Sequence, residues 1–339
     1  MLICLIGSTL FAKMSVVIFF VVFGSALTVI ASFIFQNEMY IPVPHENHYL
    51  LDQNVTQLLF TSFNWTTFKG NLLPHFGYDY TTEELTAFPV VFGVLFSGVT
   101  GIMSGANMSG ELKDPGSSIP KGTLGAILFT FSTYITLFLL TAATCPSTLL
   151  KNANLFMQAT NIWPPFVAIG LFAATLSAAL SNIIGASRVL EALAKDKLFG
   201  VLLQPINKMT FAGNPIGAVV FSWFIVELIL LIGTLNLIAQ ITSVFFLLSY
   251  FSTNLACLAL TLTSAPNFRP SFRYFNATTT SIGMIGCLGM MFMINPLYAL
   301  YVITMCLILV IVLHVRSPPV RWGSISQALI FHQVSCERD

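Results

Sequence analysis

Stretches of about twenty mostly apolar residues, the length that crosses the hydrocarbon core of a bilayer, recur along this sequence and leave little between them to build a soluble core. Eight runs qualify: 14–36, 87–110, 122–143, 164–187, 216–235, 239–262, 278–295 and 297–314. Composition agrees, since 56% of the 339 residues are hydrophobic and only 8% are charged. A soluble domain carries about 25% charge. A helix satisfies its own backbone groups in lipid, so the chain is expected to be all-α and polytopic, with about eight transmembrane helices. The last two runs are short and meet at Asn295–Pro296, which predicts a helical hairpin with a tight turn.

A net charge of +1 gives no electrostatic footprint for nucleic acid. The charges are nonetheless unevenly placed. With a cytosolic N-terminus, Lys13, Lys113, Lys121, Arg188, Lys195, Lys197, Lys208, Arg269, Arg273, Arg316, Arg321 and Arg338 fall inside. Only Lys69 and Lys151 fall outside. This is a strong positive-inside bias, and eight spans return the C-terminus to the cytosol. The six cysteines and five histidines show neither paired nor ligand spacing, so no disulfide framework, metal site or cofactor is expected. An enzyme reading lacks parts: there is no nucleophile elbow, no HExxH and no carboxylate pair within a span. The opening "MLICLIGSTLFAK" carries its basic residue after its apolar run and reads as the remnant of a helix, not a signal peptide.

The segment 37–86 is long and polar, and the charge rule places it outside. It holds two N-x-[ST] sequons, at Asn54 and Asn64, which are expected to carry glycans and to place the chain in the plasma membrane or a secretory-pathway membrane. Asn276 falls on the cytosolic side and Asn107 within a span, so both are expected to stay unmodified.

The second run contains "GVTGIMSGANMSGEL" at 98–112, with glycine at 98, 101, 105 and 110. Each glycine weakens a helix by roughly 1 kcal/mol, at a depth where backbone groups cannot turn to water. Composition leaves two readings open. Gly101 and Gly105 have the small-xxx-small spacing of helix packing. The same residues also suit an unwound span, whose freed carbonyls and amides hold ions near the midplane, with Thr100 and Ser104 as further oxygens. A channel filter is a third use of such carbonyls. Glu227, inside the fifth run, is either functional or a neutral or interface-seeking acid. Arg188, Glu191 and Lys195 read as a solvated helix end with local ion pairs, a gate being the lesser reading.

The flank of the glycine cluster narrows the choice. "TGIMSGANMSGELKDPGSSIPKGTLGAI" closely resembles the sixth transmembrane helix and following loop of the cation-chloride cotransporters, solute carrier family 12. "LFAATLSAALSNIIGASRVLEALAKDKLFG" resembles the family's eighth helix, "FFLLSY" at Tyr250 its tenth, and "SAPNFRPSFRYFN" and "WGSISQAL" later motifs. The resemblance covers about 14–330, and the variant residues point to a divergent branch, most like member 8. It implies part of the amino acid–polyamine–organocation fold, two inverted five-helix repeats plus two helices. Residues 1–36 are then a remnant of the first repeat with one span, and 37–86 an extracellular glycosylated loop. Residues 87–262 form the second inverted repeat with five spans, 263–314 a loop and two-helix hairpin, and 315–339 a short cytosolic tail. The family's first four helices and its cytosolic C-terminal domain have no counterpart, which suggests a short or alternatively spliced form, inactive alone.

The resemblance also implies a site. Ser97 (through its carbonyl), Thr100, Ala174 and Ser177 match cation-binding positions. Gly101, Ile102, Met103 and Tyr250 match anion-binding ones. Ala178 stands where the family has a second serine of the sodium site, which makes potassium-like coupling more plausible than sodium. The expected function is secondary transport of chloride with a monovalent cation, the partners being those ions and the lipid bilayer. Two alternatives stand beside it: transport of an organic cation, amino acid, polyamine or nucleotide-like metabolite, and a non-transporting regulatory role in a homodimer or with full-length subunits.

Overall fold

The computed structural model describes residues 8–80, 83, 85–107, 109–199, 203–211, 214–231, 235–263, 268, 270, 272 and 274–316. The tail beyond 316, Arg269, Arg273, Arg321, Arg338 and the "WGSISQAL" motif lie outside the described residues. The first half of the chain forms α1 (Ser8–Phe35), β1 (Met39–Pro42), α2 (His48–Leu51), β2 (Gln57–Phe60), α3 (Trp65–Gly70), α4 (Phe88–Ser97), α5 (Ser104–Asn107), α6 (Pro115–Thr144), α7 (Ser147–Asn152) and α8 (Phe156–Ala159). The second half forms α9 (Pro164–Lys195), α10 (Gln204–Lys208), β3 (Thr210–Phe211), β4 (Asn214–Pro215), α11 (Ile216–Leu230), α12 (Leu235–Leu262), α13 (Ala277–Ile294) and α14 (Pro296–Arg316).

Six of these helices, α1, α6, α9, α12, α13 and α14, are long and apolar enough to cross a membrane. The two remaining apolar runs form shorter helices, α4 and α11. At 1.5 Å per residue, the 15 residues of α11 reach about 22 Å, short of a hydrocarbon core of about 30 Å. The protein is thus a multi-pass α-helical membrane protein. Its chain divides into two compact units, 1–88 with 121–186, and 89–120 with 187–339.

In the first unit the polar segment after α1 is not an open loop. β1 pairs antiparallel with β2, Met39 opposite Phe60 and Pro42 opposite Gln57. The hairpin seats Ile41 and Phe60 in a buried cluster with Val29, Phe33, Cys145, Leu149 and Ala153. Side-chain amides stitch this layer together. Asn71 Nδ2 donates to the carbonyls of Ala142 and Cys145, both at 2.8 Å, where the end of α6 leaves carbonyls without helical partners. Asn47 Nδ2 donates to Asn152 Oδ1 at 2.9 Å. Lys69 and Lys151, the two cations assigned to the outside, both belong to this unit. Along α1, Ser25, Thr28 and Ser32 return their hydroxyls to carbonyls of their own helix, and Ser32 Oγ also accepts from the N–H of Ile162 at 3.0 Å.

In the second unit α12, α13 and α14 share a core of Val244, Leu247, Met291, Ile294, Ala299 and Val302, against which Phe92 and Phe96 of α4 pack. The tight hairpin between α13 and α14 turns on one residue. Asn295 Oδ1 accepts from the N–H groups of Leu297 (3.0 Å) and Tyr298 (3.2 Å), capping α14 as Pro296 begins it. At the end of α9, Glu191 pairs with Arg188 at 3.4 Å and Lys195 at 2.8 Å, the local pairs expected from their spacing. Glu227 sits on the exposed face of α11.

Candidate functional site

The second apolar run is broken. Helix α4 ends at Ser97, and the N–H groups of Gly98 and Val99 tighten the last turn by donating to Leu95 and Phe96, both at 3.0 Å. No helix resumes until the four residues of α5, followed by a 3₁₀ turn at Ser109–Glu111. The turning point is Gly101, at φ +101°, a conformation that an L side chain rarely adopts. Of the two uses that composition left open for the glycine cluster, unwinding is the one seen at this glycine.

Hydroxyls take up the freed carbonyls. Ser97 Oγ donates to Val94 O at 2.6 Å, Thr100 Oγ1 to Ser97 O at 2.8 Å, and Ser104 Oγ to Gly101 O at 2.8 Å. The hydroxyl of Thr100 and the carbonyl of Ser97 therefore stand side by side, two oxygens of the kind that replace a cation's hydration. A full shell needs about six.

Across the break the backbone meets α12. The N–H of Gly101 donates to the phenol oxygen of Tyr250 at 3.3 Å, and the amide of Ile102 lies beside the same oxygen. Met103 follows in the same turn. Tyr250 is held from behind: its carbonyl accepts from Asn254 Nδ2 at 2.8 Å, and Asn254 fits against Gly283 of α13, where a Cβ would lie 3.0 Å from Asn254 Oδ1. Two neighbouring amides and a phenol O–H are the donor set for a small anion. The helix that follows, Ser104–Asn107, is only four residues long, so the donors seen at this point are the two amides and the phenol.

The remaining sequence-predicted ligands, Ala174 and Ser177, lie one turn apart on α9 in the first unit, both half-buried. The Ser177 carbonyl accepts from Ser181 Oγ at 2.8 Å. Sequence reasoning passed over two residues of the second unit, Gly93 and Ser243. Ser243 is fully buried, and the single proton of its hydroxyl is shared between Gly93 O at 2.9 Å and Ala239 O at 2.8 Å. Its position seven residues before Tyr250, on the same face of α12, is the signal that would have found it.

Fold and site together define a multi-pass helical membrane protein organised around a discontinuous apolar segment. The chain belongs to the amino acid permease family, whose profile matches residues 1–336, and it is homologous to the cation-chloride cotransporters of solute carrier family 12. It is 49% identical over 335 residues to solute carrier family 12 member 9 of Xenopus laevis, covering 98% of this chain and 37% of that protein. The human member 9 is 45% identical over 98% of this chain and 36% of its own length. The vacuolar cation-chloride cotransporter 1 of Saccharomyces cerevisiae is 36% identical over 81% of this chain and 24% of its own. The two vertebrate relatives are member 9, where the variant residues suggest member 8. The chain spans just over a third of the length of the member 9 relatives.

Proposed function

We propose that the whole protein carries chloride together with a monovalent cation across a membrane, and that the cation is potassium-like and not sodium. The observation that carries this reading is the contact between Gly101 and Tyr250. An amide turned outward by a left-handed glycine meets a phenol from another helix, one residue after a threonine hydroxyl paired with a carbonyl. Donors at Gly101 and Ile102 and oxygens at Thr100 and Ser97 suit an anion and a cation held as neighbours. Each ion then offsets the desolvation cost of the other. The yeast relative's name, a cation-chloride cotransporter, supports the same pairing. On this reading Ala174 and Ser177 serve the sodium-type position, which Ala178 leaves one hydroxyl short. Residues 87–262 are the second inverted repeat, and 37–86 faces the outside or a lumen with glycans on Asn54 and Asn64.

The match to the amino acid permease family favours a second reading, in which the solute is an organic amine or amino acid. Uptake of radiolabelled chloride and rubidium by cells making the whole protein separates the two. We expect rubidium uptake that requires chloride, survives removal of sodium, and falls in both Thr100→Ala and Tyr250→Phe. Uptake of a labelled amino acid or amine that is indifferent to chloride would replace the first reading with the second.

A further inference from the structure

Two hydrogen bonds tie the broken segment to α12. Below the break, Gly93 O receives the buried hydroxyl of Ser243; within it, Gly101 N–H reaches Tyr250. Ser243 and Tyr250 are seven residues apart, two helical turns, and so share one face of α12 about 10 Å apart along its axis. Gly93 and Gly101 rise along the same direction, so the two contacts together set the register of the segment against α12.

The lower contact is closely specified. A Cβ on Gly93 would fall 2.9 Å from Ile294 Cγ2 and 3.4 Å from Gln240 Cγ, so only glycine brings this backbone near enough for Ser243 to bond it. Ser243 has no exposed surface. A hydroxyl that needed only to be satisfied inside α12 would stop at the Ala239 carbonyl. This one also engages a carbonyl of the helix leading into the break.

We propose that Ser243 is a positioning residue for the anion site. By fixing Gly93 on α12, it sets the distance at which the Gly101 amide and the Tyr250 phenol can share an anion. This inference rests on the anion reading of Gly101 and Tyr250.

The test is chloride-dependent thermal stabilisation of the whole protein, purified in detergent, with potassium gluconate replaced stepwise by potassium chloride. A ligand that binds only the folded form stabilises it by RT ln(1 + L/Kd), L being its free concentration, so fitting the rise in melting temperature against chloride yields the half-saturating concentration, the apparent Kd. Losing one buried hydrogen bond corresponds to about a three- to tenfold change in an equilibrium. We expect Ser243→Ala to raise the half-saturating chloride concentration by about that factor. Ser243→Thr, which keeps the hydroxyl, should stay near the wild type, and Ser243→Cys, a weaker donor of similar size, should fall between. Adding Ser243→Ala to Tyr250→Phe should cause less further change than Ser243→Ala causes alone, because its effect runs through the phenol. If Ser243→Ala does not fold, the thiol and threonine variants carry the same ranking.

The proposal is overturned if the Ser243 variants melt lower in gluconate while their half-saturating chloride is unchanged and that of Tyr250→Phe shifts. If Tyr250→Phe itself leaves the chloride dependence unchanged, the anion reading fails first, and the role of Ser243 fails with it.

Discussion

Gly170 of α9 and Ser25 of α1 approach so closely that a methyl group on Gly170 would overlap the Ser25 Oγ and Cβ atoms. Close backbone approach through small residues is how membrane helices associate when lipid offers no hydrophobic drive. Ser25 turns its hydroxyl back to the Val22 carbonyl at 2.9 Å, which keeps the contact surface small. Gly170→Ala is therefore expected to destabilise the first unit by about 1–3 kcal/mol, the usual cost of overpacking. Thermal unfolding in detergent should show a lower midpoint, and the double variant Gly170→Ala with Ser25→Gly should recover most of it. Equal midpoints for Gly170→Ala and the wild type would show that α1 and α9 are free to separate there.

The two sequons differ in what their asparagines do. Asn54 is exposed, at φ +56°, in the turn before β2, a conformation asparagine tolerates. Asn64 is half-buried and caps α3, its Oδ1 accepting from the Thr66 N–H at 2.9 Å and the Thr66 hydroxyl at 2.6 Å. Both are expected to carry glycans, Asn54 more completely. Asn54→Gln and Asn64→Gln should each remove one glycosidase-sensitive step in gel mobility. Asn64→Gln should also lower stability by about 1 kcal/mol for the lost cap, and Asn54→Gln by a smaller amount, because glutamine suits the positive φ less well than asparagine. Asn276, which caps α13 in a capping box with Thr279, should show no such step when replaced.

The membrane architecture was legible because its signal is local. Six apolar runs stand as membrane-length helices, and the hairpin at Asn295–Pro296 was readable because a cap and a proline announce it. The interruption was half legible. Four glycines predicted weakness, but composition could not choose between packing and unwinding, since that depends on what Gly101 meets 149 residues later at Tyr250. The folding of 37–86 was not legible. Ile41 and Phe60 stand in apolar runs of only a few residues, and their partners Cys145 and Leu149 lie far along the chain. Ser243 was hidden for the same reason: a serine in an apolar run reads as incidental until the Gly93 carbonyl stands opposite it.

The positive φ of Gly101 makes a direct prediction about the site. Alanine in a left-handed conformation costs roughly 1–2 kcal/mol, although open space surrounds the position and no clash arises. Gly101→Ala should therefore re-aim the backbone amide without filling the site. In the uptake assay it should raise the chloride requirement for rubidium transport several-fold while the amount of protein at the membrane changes little. Gly110→Ala, with open space and no positive φ, is the control and should behave as wild type.

Cys145 follows the last residue of α6 and lies in the buried cluster with Phe33, Phe60 and Leu149, and its side chain has no exposed surface. Burial raises its thiol from 9.0 to about 11, against a smaller opposing effect of the hydrogen bond to Thr144. The sign of the pH effect follows. The folded protein keeps the thiol protonated where an unfolded chain would begin to ionise it, so the unfolded state loses its proton first as pH rises. The stability from this group is present in full below about pH 9 and is lost progressively between about pH 9 and pH 11. In Cys145→Ser the thiol's share of that alkaline loss should disappear, although the buried hydroxyl lowers stability at neutral pH. Native protein at pH 7.5 should also leave Cys145 unlabelled by a maleimide, because both access and the thiolate are missing. Labelling should appear only with denaturant, and rapid labelling of the folded protein would show that the layer over α6 opens.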